Sequence, residues 1–139
     1  MKLSKSTLDI LKNFSNINQS ICFKQGTELS TLSIQKNILS RANVEETFPR
    51  TFAIYDLSEF LSGLSLFDNP DFYFENDNYV VIKDSKCQSR YFFADPSTIT
   101  SPPAQRAQIP SEDVSFVVAW SDLNNLIRAA SIYLSLIHI

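Results

Sequence analysis

Three stretches of the chain repeat one spacing of apolar residues. Thr7, Ile10, Leu11 and Phe14 follow Ser6; Leu57, Phe60, Leu61 and Leu64 follow Asp56; Leu123, Leu126, Ile127 and Ala130 follow Asp122. Spacing of i, i+3, i+4 and i+7 gathers four side chains on one face of a helix, so each stretch predicts a helix that buries one side. Ser and Asp are favourable N-caps, and Glu59 stands three residues after Asp56, where a capping box places its reciprocal partner. Between the helices the period changes to two. "SICFKQ", "ELSTLSI", "ILSRANV", "RTFAIY", "DFYFE", "YVVIK", "QSRYFF" and "VSFVVAW" read as strands rich in branched and aromatic residues. Gly26 and the run Asn76, Asp77, Asn78 mark tight turns and predict hairpins. The fold class expected is α+β.

Organisation follows from where this pattern pauses and restarts. "FPRTFAIY" and "VSFVVAW" each lead straight into a capped helix, which suggests a repeated unit. From 94 to 113 the chain holds four of its six prolines and few large apolar side chains. That composition predicts a semi-rigid connector. The expectation is therefore a first domain over 1–93, a connector over 94–113, and the opening strand and helix of a second, similar domain over 114–133. The last six residues, "LSLIHI", coincide with one reading frame of a widely used transposase library adapter, and 134–139 are read as a non-native tail.

Composition narrows the function by exclusion. A net charge of -3 over 139 residues gives no global basic footprint, so nucleic-acid binding would need a local patch. Cys22 and Cys87 stand singly, without a paired thiol or metal-ligand spacing, and read as buried, reduced thiols. Charged residues at Lys2, Lys5, Asp9 and Lys12 leave no room for a signal-peptide apolar region. No stretch approaches the roughly 20 apolar residues of a membrane span. These features read as a soluble protein of a reducing cytoplasm, with no membrane association.

Catalysis finds no footing. His138 is the one histidine, and Gly26 and Gly63 stand alone, so neither a histidine-based site nor a phosphate-binding glycine loop is expected. No catalytic residue, metal or cofactor is predicted. The pairs Glu45 with Glu46 and Glu112 with Asp113 read as solvated surface. Phe72, Tyr73, Phe74, Tyr91, Phe92 and Phe93 read as core rather than as a stacking platform for single strands, since Arg90 is the sole cation among them.

One patch does stand out on the helical wheel. Lys5, Asp9 and Lys12 fall opposite the apolar stripe of the first helix, and Arg128 occupies in the third helix the register of Lys12. The second helix has Ser62 there, with Glu59 beside it. An ordinary solvated helix face accounts for such charges. Their recurrence at one register leaves a second reading open beside that one, loose and sequence-blind contact with duplex phosphates.

In "MKLSKSTLDILKNF", "AIYDLSEFLSGLSLF", "FFADPST" and "DLNNLIRAAS", in that order and spacing, the chain resembles the sliding clamps of T-even-like bacteriophages, the processivity factors of phage DNA polymerases. The resemblance runs to about Tyr133. It implies a DNA-clamp domain of two helices packed on antiparallel sheet. Two such domains form a subunit, and three subunits close as a homotrimeric ring around duplex DNA. It further implies Lys5, Lys12 and Arg128 as DNA-facing residues, with Lys2 at the rim. The implied partners are the phage DNA polymerase, an ATP-driven clamp loader and the late transcription machinery, in the cytoplasm of an infected bacterium. Such proteins are much longer, so the resemblance also implies a C-terminal truncation. The residues alone leave a second reading open, a small α+β adaptor that binds protein tails without enclosing DNA.

Overall fold

The computed structural model describes residues 1–103, 111 and 113–133. It divides into two compact units, Met1–Ala104 and Gln105–Ile139. His138, Glu112 and the "LSLIHI" tail lie outside the described residues.

The first unit begins with α1, Lys5–Ser15. Its stripe is the expected one: Thr7, Leu11 and Phe14 are buried and Ile10 is partly so. Its cap is not. Ser4, rather than Ser6, occupies the N-cap, where its hydroxyl accepts the Thr7 amide hydrogen bond at 3.2 Å. The helix thus starts two residues before the stripe implies, because Ser4 also reaches Glu46 from a distant strand.

Four strands follow: β1 Ile21–Phe23, β2 Gly26–Leu32, β3 Leu39–Phe48 and β4 Phe52–Ile54. They pair antiparallel as β1 with β4, in register Ile21 with Ile54, and as β2 with β3. The turn at Gly26 therefore does not close a hairpin. At φ 119° Gly26 redirects the chain from one ladder into the other, and β1 takes its hydrogen bonds from β4. Strand β4 leads into α2, Leu57–Leu64, capped by Asp56. The Asp56 carboxylate accepts the Glu59 amide at 2.8 Å and the Gln19 side-chain amide at 2.7 Å. A three-stranded meander completes the unit: β5 Asp71–Tyr73, β6 Tyr79–Lys83 and β7 Gln88–Phe92. The Asn76–Asn78 turn closes its first hairpin as expected. Beyond β7, Ala94 bridges to Ala53, a 3-10 turn spans Pro96–Thr98, and Ile99 is buried.

Both helices and all three ladders contribute to one core. Leu11, Phe14, Leu57, Phe60 and Leu64 meet Ile21, Phe23, Phe48, Phe52, Phe72 and Val80 there. Phe23 stacks on Phe52 with centroids 4.5 Å apart, and Phe48 tilts against Phe23 at 5.0 Å. The large aromatics divide by strand alternation: Phe72, Phe74, Tyr91 and Phe93 face the core, while Tyr73 and Phe92 are exposed. Both cysteines are free. Cys22 is half-buried, but Cys87 is exposed on the β6–β7 hairpin rather than buried, because Asp84 accepts the Lys86 and Cys87 amides to form a tight turn there.

In the second unit the described element is α3, Trp120–Tyr133. It starts at Trp120, with the Ala119 carbonyl accepting the Asp122 and Leu123 amides, so Asp122 lies in the first turn and is not the cap. Residues 114–119 carry no strand. Alternation alone cannot make one, since a strand needs a neighbour to take its backbone hydrogen bonds. Among the described residues none pairs with this segment. No residue of α3 is buried. No helix among the described residues is long and apolar enough to cross a membrane.

Candidate nucleic-acid interface

The first helix carries two of the four predicted cations, and several contacts fix its position. At its N-terminus the Met1 ammonium donates to the Phe72 carbonyl at 3.0 Å, and the Phe72 amide donates to the Met1 carbonyl at 2.7 Å. Glu46 of β3 then takes hold of the first turn. Its carboxylate accepts the Ser4 amide hydrogen bond and, at 2.6 Å, that of the fully buried Thr7 hydroxyl. Partial burial pushes the Glu46 carboxyl up, but the hydrogen bonds from Thr7 and Ser4 together outweigh it and hold the group below the usual carboxylate range.

Glu46 was not distinguishable from Glu45 as a pair of neighbouring acids, and only Glu45 is exposed solvated surface. The signal lies in the strand's alternation: Ala42, Val44, Glu46 and Phe48 share the inward face, with a carboxylate where an apolar residue is due.

With α1 held this way, Lys5 and Lys12 project from the side opposite Leu11 and Phe14. Both line the groove between α1 and α2, about 360 Å³ in volume, together with Leu3, Leu8, Leu61 and Phe67. Lys12 stands 3.8 Å from Asp9, both side chains well exposed. Such a pair contributes little and leaves the ammonium available. Lys12 also lies in the last turn of α1, where a cation is favoured by the helix dipole.

Lys2 occupies a separate recess with Asp68, Lys83 and Asp84, and stands 3.9 Å from Asp71. Arg128 is exposed on α3 in the second unit. The structure thus brings Lys5 and Lys12 to one groove, and places Lys2 in a neighbouring, acid-rich recess of the same unit. Two arginines of the first unit are engaged elsewhere. Arg41 bonds to Glu28 at 3.2 Å and to the Pro103 carbonyl at 3.0 Å, and Arg50 lies 2.6 Å from Asp77. Among the described residues no group of three or more His, Cys, Asp or Glu side chains is arranged to hold a metal ion.

What this arrangement can do is electrostatic: two mobile ammonium groups on a rigid helix can meet phosphates without reading bases. The family model described as DNA polymerase processivity factor matches residues 2–101. The chain is 33% identical over 134 residues to the sliding clamp of Vibrio phage KVP40, covering 94% of this chain and 60% of that protein. It is 35% identical over 131 residues to the sliding clamp of Escherichia phage RB69, and 35% over 133 residues to that of Enterobacteria phage T4. In both cases 94% of this chain and 57% of the relative are covered. The chain therefore spans less than two thirds of the length of the curated relatives it matches.

Proposed function

Since the chain belongs to the DNA polymerase processivity factor family, the phage sliding clamps, we propose that it forms part of a longer clamp subunit that encircles duplex DNA and tethers a replicative polymerase. The observation that carries this reading is the placement of Lys5 and Lys12. Both are exposed on α1, where among the described residues Lys12 has only the loose pair with Asp9 at 3.8 Å, on a helix whose other face is locked into the sheet. In such a protein the linkage is topological. A closed ring cannot leave the DNA sideways, so weak phosphate contacts suffice, and the overall charge of -3 limits adhesion to the polyanion.

In this reading residues 1–93 are the first clamp domain, 94–113 the connector and 114–133 the opening of a second domain, with 134–139 not native. The unburied apolar face of α3 supports that division, since an amphipathic helix of this kind stabilises a fold only by packing against another element. Three subunits close head to tail as a homotrimer, and Lys5, Lys12, Arg128 and Lys2 face the DNA. A clamp loader uses ATP to open the ring, the polymerase and the late transcription machinery bind it, and the work is done in the cytoplasm of the infected host. The subunit acts as a scaffold and performs no chemistry itself.

The test uses the full-length protein with its loader and ATP. Retention on nicked circular DNA, with loss from linear DNA that has free ends, is the expected result; equal retention on both refutes topological linkage. Lys5→Glu with Lys12→Glu should lower retention on circles while leaving the far-ultraviolet circular dichroism unchanged. An altered spectrum would mean that these residues face the core.

A further inference from the structure

Among the described residues, three buried aliphatic side chains stand outside the main core: Leu32, Ala53 and Ile99. Strand alternation separates the first two from it. Leu29 of β2 and both Phe52 and Ile54 of β4 face the core, so Ser30, Leu32 and Ala53 point to the opposite, outer face of the ladders. An outer face ordinarily meets water, yet all three of these residues are buried.

The chain beyond β7 supplies a cover. At one end the Ala94 amide donates to the Ala53 carbonyl of β4 at 2.9 Å. At the other the Arg41 guanidinium of β3 donates to the Pro103 carbonyl at 3.0 Å. Strand β1 pairs with β4, β2 pairs with β3, and β1 runs beside β2. The segment therefore crosses from the β4 side of the sheet to the β3 side, about three strand spacings or roughly 15 Å. Extended chain advances about 3.3 Å per residue, so 94–103 has ample length for it. Between the two anchors Ile99 and Pro102 are both buried.

Arg41 is suited to hold the far end. It stands opposite Ser30 in the β2–β3 ladder, on the outer face. One guanidinium nitrogen donates to Glu28 at 3.2 Å while the other takes the Pro103 carbonyl. A planar fork makes two such bonds at once with little further loss of freedom.

We propose that 94–103 is a strap latched over the outer face by Arg41, that it opens as a unit separate from the core, and that it moves the exit of the chain from β4 to β3. That this exit leads toward a second domain rests on the reading of 94–113 as a connector. The latch does not, and it is measured on this chain without DNA or loader.

The experiment is amide hydrogen exchange followed in nitrogen-15 spectra. The Thr98 and Ile99 amides donate within the strap's own turn, to Asp95 and Pro96, and report its opening. Arg41→Ala should speed their exchange about tenfold, as expected for loss of a hydrogen bond from a charged donor. Ile21→Val is the control, because it trims a buried residue of the main core. It should speed the slow amides of β1 and β4 and leave Thr98 and Ile99 unchanged, since a strap that opens separately leaves the core folded. Unaltered exchange at Thr98 and Ile99 in Arg41→Ala would remove the latch. Equal acceleration of strap and core in Ile21→Val would mean that the segment comes away only when the whole unit unfolds. Either result overturns the proposal and leaves the ring reading untouched.

Discussion

Replacing Glu46 with alanine tests whether α1 is held by the strand that lies under it. The carboxylate accepts hydrogen bonds from the Ser4 amide and the Thr7 hydroxyl, the latter at 2.6 Å and fully buried. Hydrogen bonds to a charged acceptor contribute about 1.5–3 kcal/mol each, and removing the acceptor leaves the Thr7 hydroxyl buried beside a void. Ser4 is only half-buried and can turn to water, so the second bond counts for less. Together the loss should be about 2–4 kcal/mol. With a urea slope of about 2 kcal/mol per molar, this lowers the midpoint by roughly 1–2 M. Glu46→Gln keeps one acceptor oxygen and loses the charge, so about 1 kcal/mol is expected.

The pH dependence has a definite sign. The folded carboxyl titrates below its ordinary value, so its contribution is complete above the unfolded carboxylate range and fades as pH falls through the folded pKa. Urea unfolding followed by circular dichroism should therefore separate wild type from Glu46→Gln fully at pH 7, with the gap closing below about pH 4. Equal midpoints for Glu46→Ala and wild type at pH 7 would refute the reasoning. So would a wild-type to Glu46→Gln gap that persists at low pH.

Three further outcomes are expected. Phe23→Ala removes the ring that stacks on Phe52 at 4.5 Å. It should cost about 3–5 kcal/mol in denaturant unfolding, and a loss under 1 kcal/mol would mean that the core collapses around the void. Gly26→Ala meets no atom within 4 Å, yet must hold φ near 119°. Calorimetry should show a loss of about 1–3 kcal/mol from backbone strain alone, and an unchanged melting temperature would mean that the turn relaxes. Asp56→Ala removes the cap of α2. The Glu59 amide and the Gln19 side chain hold this carboxyl below the usual aspartate range. Wild type should therefore melt higher than the variant at neutral pH, and that advantage should shrink as pH falls through the depressed pKa. A difference independent of pH would remove the charge from the account.

How much of this was legible beforehand depended on how far apart the cooperating residues lie. The stripe Thr7, Leu11, Phe14 and the stripe Leu57, Phe60, Leu64 were readable because a helix writes its buried face at a fixed short period. The seven strands of the first unit were readable for the same reason, and Lys5 and Lys12 fell opposite the stripe by simple geometry. Asp56 was found as a cap because its partner, the Glu59 amide, is three residues away. Ser4 was missed as a cap because what favours it over Ser6 includes Glu46, over forty positions later in the chain.

The sequence by itself determined the helices and strands of the first unit and the exposed side of α1, since both follow from spacings of two to seven residues. Tertiary structure decided which strand took which neighbour: β1 left the Gly26 turn unpaired and joined β4, and "VSFVVAW", with the cleanest alternation of all, formed no strand. It also decided that the two lysines share a groove with leucines from a second helix. The reason is physical. A backbone hydrogen bond or a shared cavity needs a partner at a particular place, and periodicity along one segment says which face will seek a partner without saying where that partner will be.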